Sequence, residues 1–495
     1  MSLHILNADI ILEIIKNSRY NRKSLFKFLF TNKFFSKIAV SILWENPFKI
    51  CKIGNSEKII EIYVQSSGEK ELNEIKELFD RENFENGGKP LFFQYGKYLK
   101  EFQLEEIIKV IRSWYNNYSR RSSNYSNENK ALKLIMKSIM KQCQSLDLLE
   151  WNVSFNNDEL LEIMQHKIKD LKELTINHYD DHNKSDSSNY RNNNIRYYGY
   201  YRNNSINRYD DHNESDSSNN IECFGYFKNH SKNISKLTIY NSKKWPDKNI
   251  KGFISFIESQ NDLNSFIFDN EKNNGEFNDL ITSTLESRTN NLTEMMLNHL
   301  NFSDLSFDHI DKCINLETLV LRYNKELKFD DMDLYSSFKN LKKLDLSFND
   351  WSPGVTNLII KKAGNGLFSL TIGEGNTKQA KINDDTLITL TKSCPNIKSL
   401  SFSKISNEKI NMIFSYLKDF KLVTLQISQT KANGTVMNSK LLLDYIKNEG
   451  SFCTLGLGKN DTYWLYYNDK RVNFEKLLRE HNIMLAPYKP KDIKM

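Results

Sequence analysis

The chain contains the stretch Leu316-Glu-Thr-Leu319-Val-Leu321-Arg-Tyr-Asn324, and 25 residues later it contains Leu341-Lys-Lys-Leu344-Asp-Leu346-Ser-Phe-Asn349. Both stretches carry leucine at the first, fourth and sixth positions and asparagine at the ninth. Because side chains on a strand alternate between its two faces, this spacing predicts a short β-strand whose leucines face a core.

The same spacing recurs through most of the chain. From Ile234 onward, the first apolar positions of successive copies lie 24 to 30 residues apart. A repeat of this length predicts a solenoid, which typically provides an extended surface for binding another protein. The ten copies are Leu171-Leu174-Ile176, Ile234-Leu237-Ile239, Leu263-Phe266-Phe268, Leu292-Met295-Leu297, Leu316-Leu319-Leu321, Leu341-Leu344-Leu346, Leu367-Leu370-Ile372, Ile397-Leu400-Phe402, Leu422-Leu425-Ile427 and Phe452-Leu455-Leu457, and a weaker copy, Leu146-Leu149-Trp151, precedes them.

Composition indicates the cellular compartment in which the protein is expected. The chain has no apolar run long enough to span a bilayer, and its start lacks the features of a signal peptide. Six cysteines in 495 residues do not suggest a disulfide framework. Three of them, Cys143, Cys313 and Cys394, each precede a repeat by three residues, which favours small buried packing residues. We therefore expect reduced thiols and a cytoplasmic or nuclear protein.

Charge and motifs give little support for other functions. The net charge of +7 is spread along the chain, so nucleic acid is an unlikely partner. We find no Gly-rich phosphate loop, paired-cysteine element or nucleophile motif, and we expect neither an enzyme nor a cofactor. Asp180-Asp181-His182 and its copy Asp210-Asp211-His212 invite a metal site, but the surrounding duplicated low-complexity sequence favours a disordered insert at 178–222 and no metal.

The first 48 residues depart from the repeat and predict three short helices. The stretch from Leu6 to Ile15, followed by Leu25, Leu29, Asn32, Phe35 and Ile38 and then Leu43-Trp44, resembles an F-box. Asn7 stands where most F-boxes have proline, and Phe35 where many have tryptophan. The resemblance implies a small all-α domain that docks on a Skp-family adaptor and, through it, a cullin–RING ubiquitin ligase. The residues that would contact the adaptor are Leu6, Asp9, Ile10, Ile14, Leu25, Leu29, Phe35, Ile38, Leu43 and Trp44.

The remaining chain divides into three parts. Residues 49–145 predict a helical connector with a degenerate first repeat at Leu99-Phe102-Leu104 and a polar surface loop at 116–130. Residues 146–458 form the repeat domain, and 459–495 a C-terminal cap. Helices over 331–338, 384–392, 408–417 and 439–447 would lie opposite the strands. The repeats resemble leucine-rich repeats, which implies an α/β horseshoe with parallel strands on its concave face.

The strand positions between the apolar residues are candidates for target binding. In the later repeats they are small, which either lets a partner approach closely or reflects crowding on a curved face. The candidates are Tyr240, Met296, Arg322, Lys343, Ser401 and Gln426.

The sequence thus suggests a non-catalytic substrate receptor of a ubiquitin ligase. The alternatives are a leucine-rich-repeat interaction scaffold without a ligase role and, less favoured, a nucleic-acid-binding protein.

Overall fold

The computed structural model describes most of the repeat region and the N-terminal helices. The described residues are 8–18, 21–50, 53–78, 93–118, 125–153, 158–178, 222–242, 245, 247–271, 277–328, 332, 337–373, 382–405, 407–417, 419–429, 445, 454–457, 466–467, 470–471 and 483–487. The duplicated insert, Leu6 and the expected helices over 331–338 and 439–447 lie largely or wholly outside these ranges.

The described chain divides into two compact units. The first comprises residues up to 178 together with 222–238 and 251–262, and the second comprises 239–250 and 263–487. The helices are α1 (Ala8–Asn17), α2 (Arg22–Phe28), α3 (Lys33–Leu43), α4 (Pro47–Ile50), α5 (Ile53–Gln65), α6 (Glu69–Glu77), α7 (Leu104–Tyr118), α8 (Tyr125–Gln142), α9 (Asp158–Met164), α10 (Glu222–His230), α11 (Asp247–Glu258), α12 (Asn278–Arg288), α13 (Asp308–Asp311), α14 (Pro353–Ala363), α15 (Asp384–Ser393) and α16 (Asn407–Leu417).

The strands follow the repeat. They are β1 (Glu101–Gln103), β2 (Leu148–Asn152), β3 (Glu173–His178), β4 (Lys236–Asn241), β5 (Ser265–Asn270), β6 (Glu294–Asn298), β7 (Thr318–Arg322), β8 (Lys343–Ser347), β9 (Ser369–Gly373), β10 (Ser399–Ile405), β11 (Thr424–Gln429), β12 (Thr454–Leu457), β13 (Tyr466–Tyr467), β14 (Lys470–Arg471) and β15 (Met484–Pro487). In the first unit β1, β2 and β3 pair in parallel, and in the second β5 to β12 do so in chain order. This arrangement is an α/β leucine-rich-repeat solenoid preceded by an all-α region, as predicted.

The repeat leucines form the core of each unit. Leu319, Leu321, Leu344 and Leu346 are buried, and the corresponding residues of the other described repeats are buried as well. The degenerate repeat at Leu99 also forms a strand, β1, and Phe102 within that strand is buried.

The repeat asparagines hold the turns that follow the strands. Asn324 accepts a hydrogen bond from the Leu300 backbone N–H (2.8 Å) and donates one to the Leu297 carbonyl (2.9 Å). Asn349 repeats the arrangement, accepting from the Asn324 N–H (2.9 Å) and donating to the Leu321 carbonyl (2.7 Å). These bonds satisfy buried backbone groups that no strand partner reaches.

A second row of asparagines, which was not predicted from the sequence, lies directly before the first apolar residue of three repeats. Each side-chain amide donates to a carbonyl of the preceding repeat: Asn315 to Asn290 (2.7 Å), Asn340 to Ile314 (3.0 Å) and Asn396 to Asn365 (3.0 Å). These three asparagine side chains therefore join consecutive repeats.

The structure adds to or differs from two sequence predictions, one for the tract 116–130 and one for the C-terminal segment. The tract 116–130 was expected to be a loop, but α7 and α8 include its described residues, 116–118 and 125–130, so the prediction is wrong for them. In the C-terminal part, β15 pairs in parallel with β12, with Thr454 opposite Met484. Part of the segment predicted as a cap thus continues the sheet of the second unit.

Candidate protein-binding surfaces

The N-terminal helices share a small core of their own. Asn32 starts α3 by accepting hydrogen bonds from the backbone N–H groups of Phe34 and Phe35 (3.0 Å each), which fixes the turn between α2 and α3. The buried core residues are Ile15, Leu25, Ile42 and Leu43, and Phe28, Leu29, Phe35, Ile38 and Trp44 pack against them while remaining partly exposed. With so few buried side chains, these helices leave considerable apolar area uncovered.

Five large apolar side chains face solvent in these helices and in the turn between α2 and α3. We call them the N-terminal apolar surface: Ile10 (50% exposed), Ile14 (49%), Phe26 (53%), Phe30 (86%) and Phe34 (45%). Large apolar side chains left exposed in a small domain are typical of a region that binds a partner.

The predicted adaptor residues divide into three groups. Ile10 and Ile14 are exposed, as docking requires. Leu25 and Leu43 are core residues, and Leu29, Phe35, Ile38 and Trp44 are half-buried around them, so most of these six support the domain from within. Asp9 lies in α1, but its side chain and all of Leu6 fall outside the described residues.

Sequence reasoning missed Phe26, Phe30 and Phe34. They are spaced four residues apart, as are Leu25 and Leu29, so the pattern offers two possible apolar faces. Only the packing of α2 against α3 shows which face becomes core.

The N-terminal apolar surface lies in basic sequence. No acidic residue occurs between Glu13 and Glu45, and the side chains of Lys23, Lys27, Lys33 and Lys37 are exposed. A partner with an acidic surface would therefore be attracted to these helices.

Trp44 joins the N-terminal helices to the connector. Its ring centroid lies 4.4 Å from that of Tyr95 and 5.7 Å from that of Tyr63, and Phe48 stacks on Tyr63 at 5.8 Å. Burial raises the pKa of the Tyr63 phenol far above its ordinary value. Trp44 thus packs mainly within the first unit.

The predicted target-binding positions differ in accessibility. Lys343 is exposed, and Tyr240, Met296 and Arg322 are half-buried. Ser401 and Gln426 are buried, with the Ser401 hydroxyl 3.2 Å from the Gln426 amide oxygen. These two side chains on adjacent strands therefore cover one another, and both positions are less accessible than the other four.

Arg322 already has an intramolecular partner. Its Nε and Nη2 atoms lie 3.0 and 2.5 Å from Oδ2 of Asp345, whose other oxygen accepts from the Ser347 N–H (2.9 Å). A target that binds the Arg322 guanidinium would have to share its hydrogen bonds with Asp345 or displace the Asp345 carboxylate. The two side chains hold each other in place and form a preorganised polar patch.

A buried carboxyl group occupies the corresponding face of the first unit. Glu150 on β2 accepts a hydrogen bond from Nδ2 of Asn177 (2.9 Å). Burial raises the pKa of Glu150 to about 7, with further contributions from Glu105 and Glu106 against the opposing effects of Asn177 and Lys109. No group of three or more His, Cys, Asp or Glu residues placed to hold a metal occurs in the described part of the chain.

Four cysteines have described side chains, and all four are buried and not disulfide-bonded: Cys143, Cys223, Cys313 and Cys394. Burial raises the pKa of each, to about 11 for Cys143 and about 12 for the other three, which makes them poor nucleophiles. Among the helices that the structure describes, none is long and apolar enough to cross a membrane.

Comparison with protein-family models and with curated protein sequences finds no match. Solved structures with similar repeats include the leucine-rich-repeat protein LegL7 from Legionella pneumophila (15% identity, 63% of this chain and 82% of that chain, TM-score 0.34). Another is a chain of the Rad7 and Elc1 complex of yeast (13% identity, 88% and 97%, TM-score 0.34). These low scores carry no functional argument, and the assignment of the fold rests on the strand order and the repeat.

Proposed function

We propose that this protein is a substrate receptor of a cullin–RING ubiquitin ligase, with residues 1–48 docking on a Skp-family adaptor and the repeats binding a target protein. The observation that carries the proposal is the N-terminal apolar surface. Covering the exposed part of each of its side chains would contribute on the order of 1 kcal/mol to the binding free energy before the cost of association is subtracted, so adaptor contacts beyond these five side chains are also required.

The receptor would act without catalytic residues of its own. Holding a target near the ubiquitin-charged enzyme raises the effective concentration of the reacting groups. On the repeats, Tyr240, Met296, Arg322 and Lys343 are the accessible candidates for holding the target. We place this activity in the cytoplasm or nucleus, where reduced thiols persist.

One observation favours the alternative, a repeat scaffold without a ligase role. Trp44, one of the residues implied by the F-box resemblance, packs against Tyr63 and Tyr95 of the connector. In a scaffold, α1 to α3 would serve only to close the first unit, and their exposed residues would have no adaptor to bind.

Co-expression with a Skp-family adaptor followed by size-exclusion chromatography separates the two functions. We expect a one-to-one complex with the wild-type chain and none with the deletion of residues 1–48. A Phe26→Ser, Phe30→Ser and Phe34→Ser variant should also lose the adaptor, because these substitutions remove exposed apolar contact area and leave the four buried core residues in place.

The matched control carries Ile314→Ser and Val423→Ser, which are similarly exposed residues of the second unit. This control should retain the adaptor. A folded wild-type chain that forms no complex would support the scaffold function.

A further inference from the structure

A row of four side chains crosses the starts of consecutive strands in the second unit, with three of them exposed and one, Lys398, half-buried. Backbone hydrogen bonds fix its order: the N–H of Phe368 donates to the carbonyl of Lys342 (2.8 Å), Lys398 to Phe368 (2.9 Å) and Val423 to Lys398 (2.7 Å). Each residue lies directly after the first apolar position of its repeat. We call Lys342, Phe368, Lys398 and Val423 the strand-entry row.

The row contains exposed apolar side chains that the core does not need. Phe368 is 52% and Val423 44% exposed. Met484 (63%) lies at the start of β15, whereas Ile314 (56%) lies four residues before β7. Three of the four large exposed apolar residues in the described part of this unit therefore lie at or directly before strand starts.

The opposite ends of the strands are built differently. There His299, Tyr323 and Phe348 stack on one another, with centroid separations of 4.6 and 4.9 Å, and Lys404 lies over the Phe348 ring at 4.8 Å. Their ring faces are occupied within the chain. In the strand-entry row, by contrast, Phe368 and Val423 each keep about half of their surface exposed.

Basic side chains flank the apolar ones. Lys342 and Lys398 alternate with Phe368 and Val423, while Lys339, Lys343 and Lys421 are exposed beside the row. The preceding residue of the same hydrogen-bonded series is Glu317, which pairs with Lys342 (2.7 Å), and Asp419 lies four residues before Val423. Lysines thus outnumber carboxylates, and the charge favours an acidic partner.

The spacing constrains the conformation of that partner. Neighbouring strands lie about 4.8 Å apart, which puts Phe368 and Val423 about 9.6 Å apart with Lys398 between them. In a polyproline II segment, residues three apart point the same way and are separated by about 9.3 Å. A segment with an apolar residue at every third position and acidic residues between them would match both anchors and the intervening lysine.

We propose that the strand-entry row binds an extended acidic segment of a partner protein with the pattern apolar-acidic-acidic-apolar. This interaction uses none of the residues of the N-terminal apolar surface. A failure of adaptor binding would therefore say nothing about this interaction, and a failure of this interaction would say nothing about adaptor binding.

Fluorescence anisotropy with the full-length chain tests the inference. The probe is a fluorescein-labelled peptide with the repeating sequence Leu-Asp-Glu, and the comparison peptides repeat Ser-Asp-Glu and Leu-Lys-Lys. We expect saturable binding of the first peptide only, weakened by added salt. Phe368→Ser with Val423→Ser, and separately Lys342→Gln with Lys398→Gln, should each weaken it about tenfold or more.

The control variant carries Lys325→Gln and Lys328→Gln, which remove the same charge from exposed positions after β7. It should bind as the wild type does, and circular dichroism should show all variants folded. Absence of saturable binding, or equal binding by all variants, would overturn the inference. Tighter binding of single-stranded RNA with the same dependence on the row would instead assign the row to nucleic acid.

Discussion

The ring of Tyr323 lies flat against that of His299, with their centroids 4.6 Å and their planes 5° apart. Both residues have a φ of 57°, a left-handed conformation that bulky side chains seldom adopt. Phe348 continues the column at a φ of 64°. The conformation lets each backbone N–H reach a strand carbonyl of the next repeat, such as His299 N–H to Arg322 (3.0 Å). Stacking therefore offsets strain introduced by a turn that the repeat requires.

Substitution of Tyr323 separates stacking from strain. Tyr323→Ala removes both ring contacts but keeps a strained position, so we expect a loss of about 1–3 kcal/mol in unfolding free energy. Tyr323→Gly loses the same contacts but relieves the strain, and it should be more stable than the alanine variant by up to about 1 kcal/mol. Urea unfolding followed by circular dichroism measures the difference. Tyr323→Phe should remain near wild type, and an alanine variant more stable than the glycine variant would contradict the account.

The Asn324 side chain is expected to contribute strongly to stability. Asn324→Ala leaves the Leu300 N–H and the Leu297 carbonyl without their partner in a buried site, at a cost of about 2–4 kcal/mol. Asn340→Ala, at an exposed position, loses one bond and should cost less than about 1 kcal/mol. Hydrogen exchange at the Leu300 amide should accelerate only in the first variant. Unchanged protection there would show that the bond does not hold the turn.

Glu150 should make stability depend on pH. Its folded pKa of about 7 lies above the ordinary 4.5, so the folded state binds a proton more tightly than the unfolded state. Its stabilising contribution is present below about pH 4.5 and is lost as the pH rises to about 7. Glu150→Gln keeps an acceptor for Asn177 and removes the titration.

Relative to wild type, the glutamine variant should gain about 1–3 kcal/mol between about pH 5 and pH 8. Urea unfolding at the two pH values measures that gain. A difference between the two proteins that does not change with pH would show that Glu150 titrates normally.

Lys362 and Asp311 form a buried ion pair between α14 and α13. Their Nζ and Oδ2 atoms are 2.8 Å apart, and the two side chains are almost fully covered. Lys362→Met alone leaves a buried carboxylate without its cation and should cost about 3–5 kcal/mol. Adding Asp311→Asn should recover part of that loss, a coupling that thermal unfolding of the four proteins in the cycle would detect. Additive losses would mean that the pair is not coupled.

The sequence predicted the repeat because its signal is periodic. Leu319 and Leu321 alternate with outward residues, and the same spacing returns in every unit, so strand direction and core faces follow from one rule. The resemblance to leucine-rich repeats also led to Asn324 and Asn349, which occupy the ninth position of the pattern.

Other features of the structure could not be predicted, because they depend on how elements pack and the spacing of apolar residues does not determine that packing. Asn241 and Asn270 hydrogen-bond to each other (3.0 Å), but they lie one position earlier than the asparagine of the pattern. The left-handed column of His299, Tyr323 and Phe348 follows from backbone angles, and its only sequence signal is aromatic rings at equivalent positions. Likewise, the choice between Leu25 and Phe26 as core residue was decided by how α2 packs on α3.

The affinity of the purified chain for a Skp-family adaptor, measured by isothermal titration calorimetry for wild type and Phe30→Ser, tests the central claim most directly. Phe30 is the most exposed large apolar residue of the described chain, and removing it cannot disturb a core. The account predicts a one-to-one complex whose Kd rises at least about tenfold in the variant, while Ile314→Ser leaves it unchanged. Equal affinities for wild type and Phe30→Ser, or no binding by the folded wild type, would contradict it.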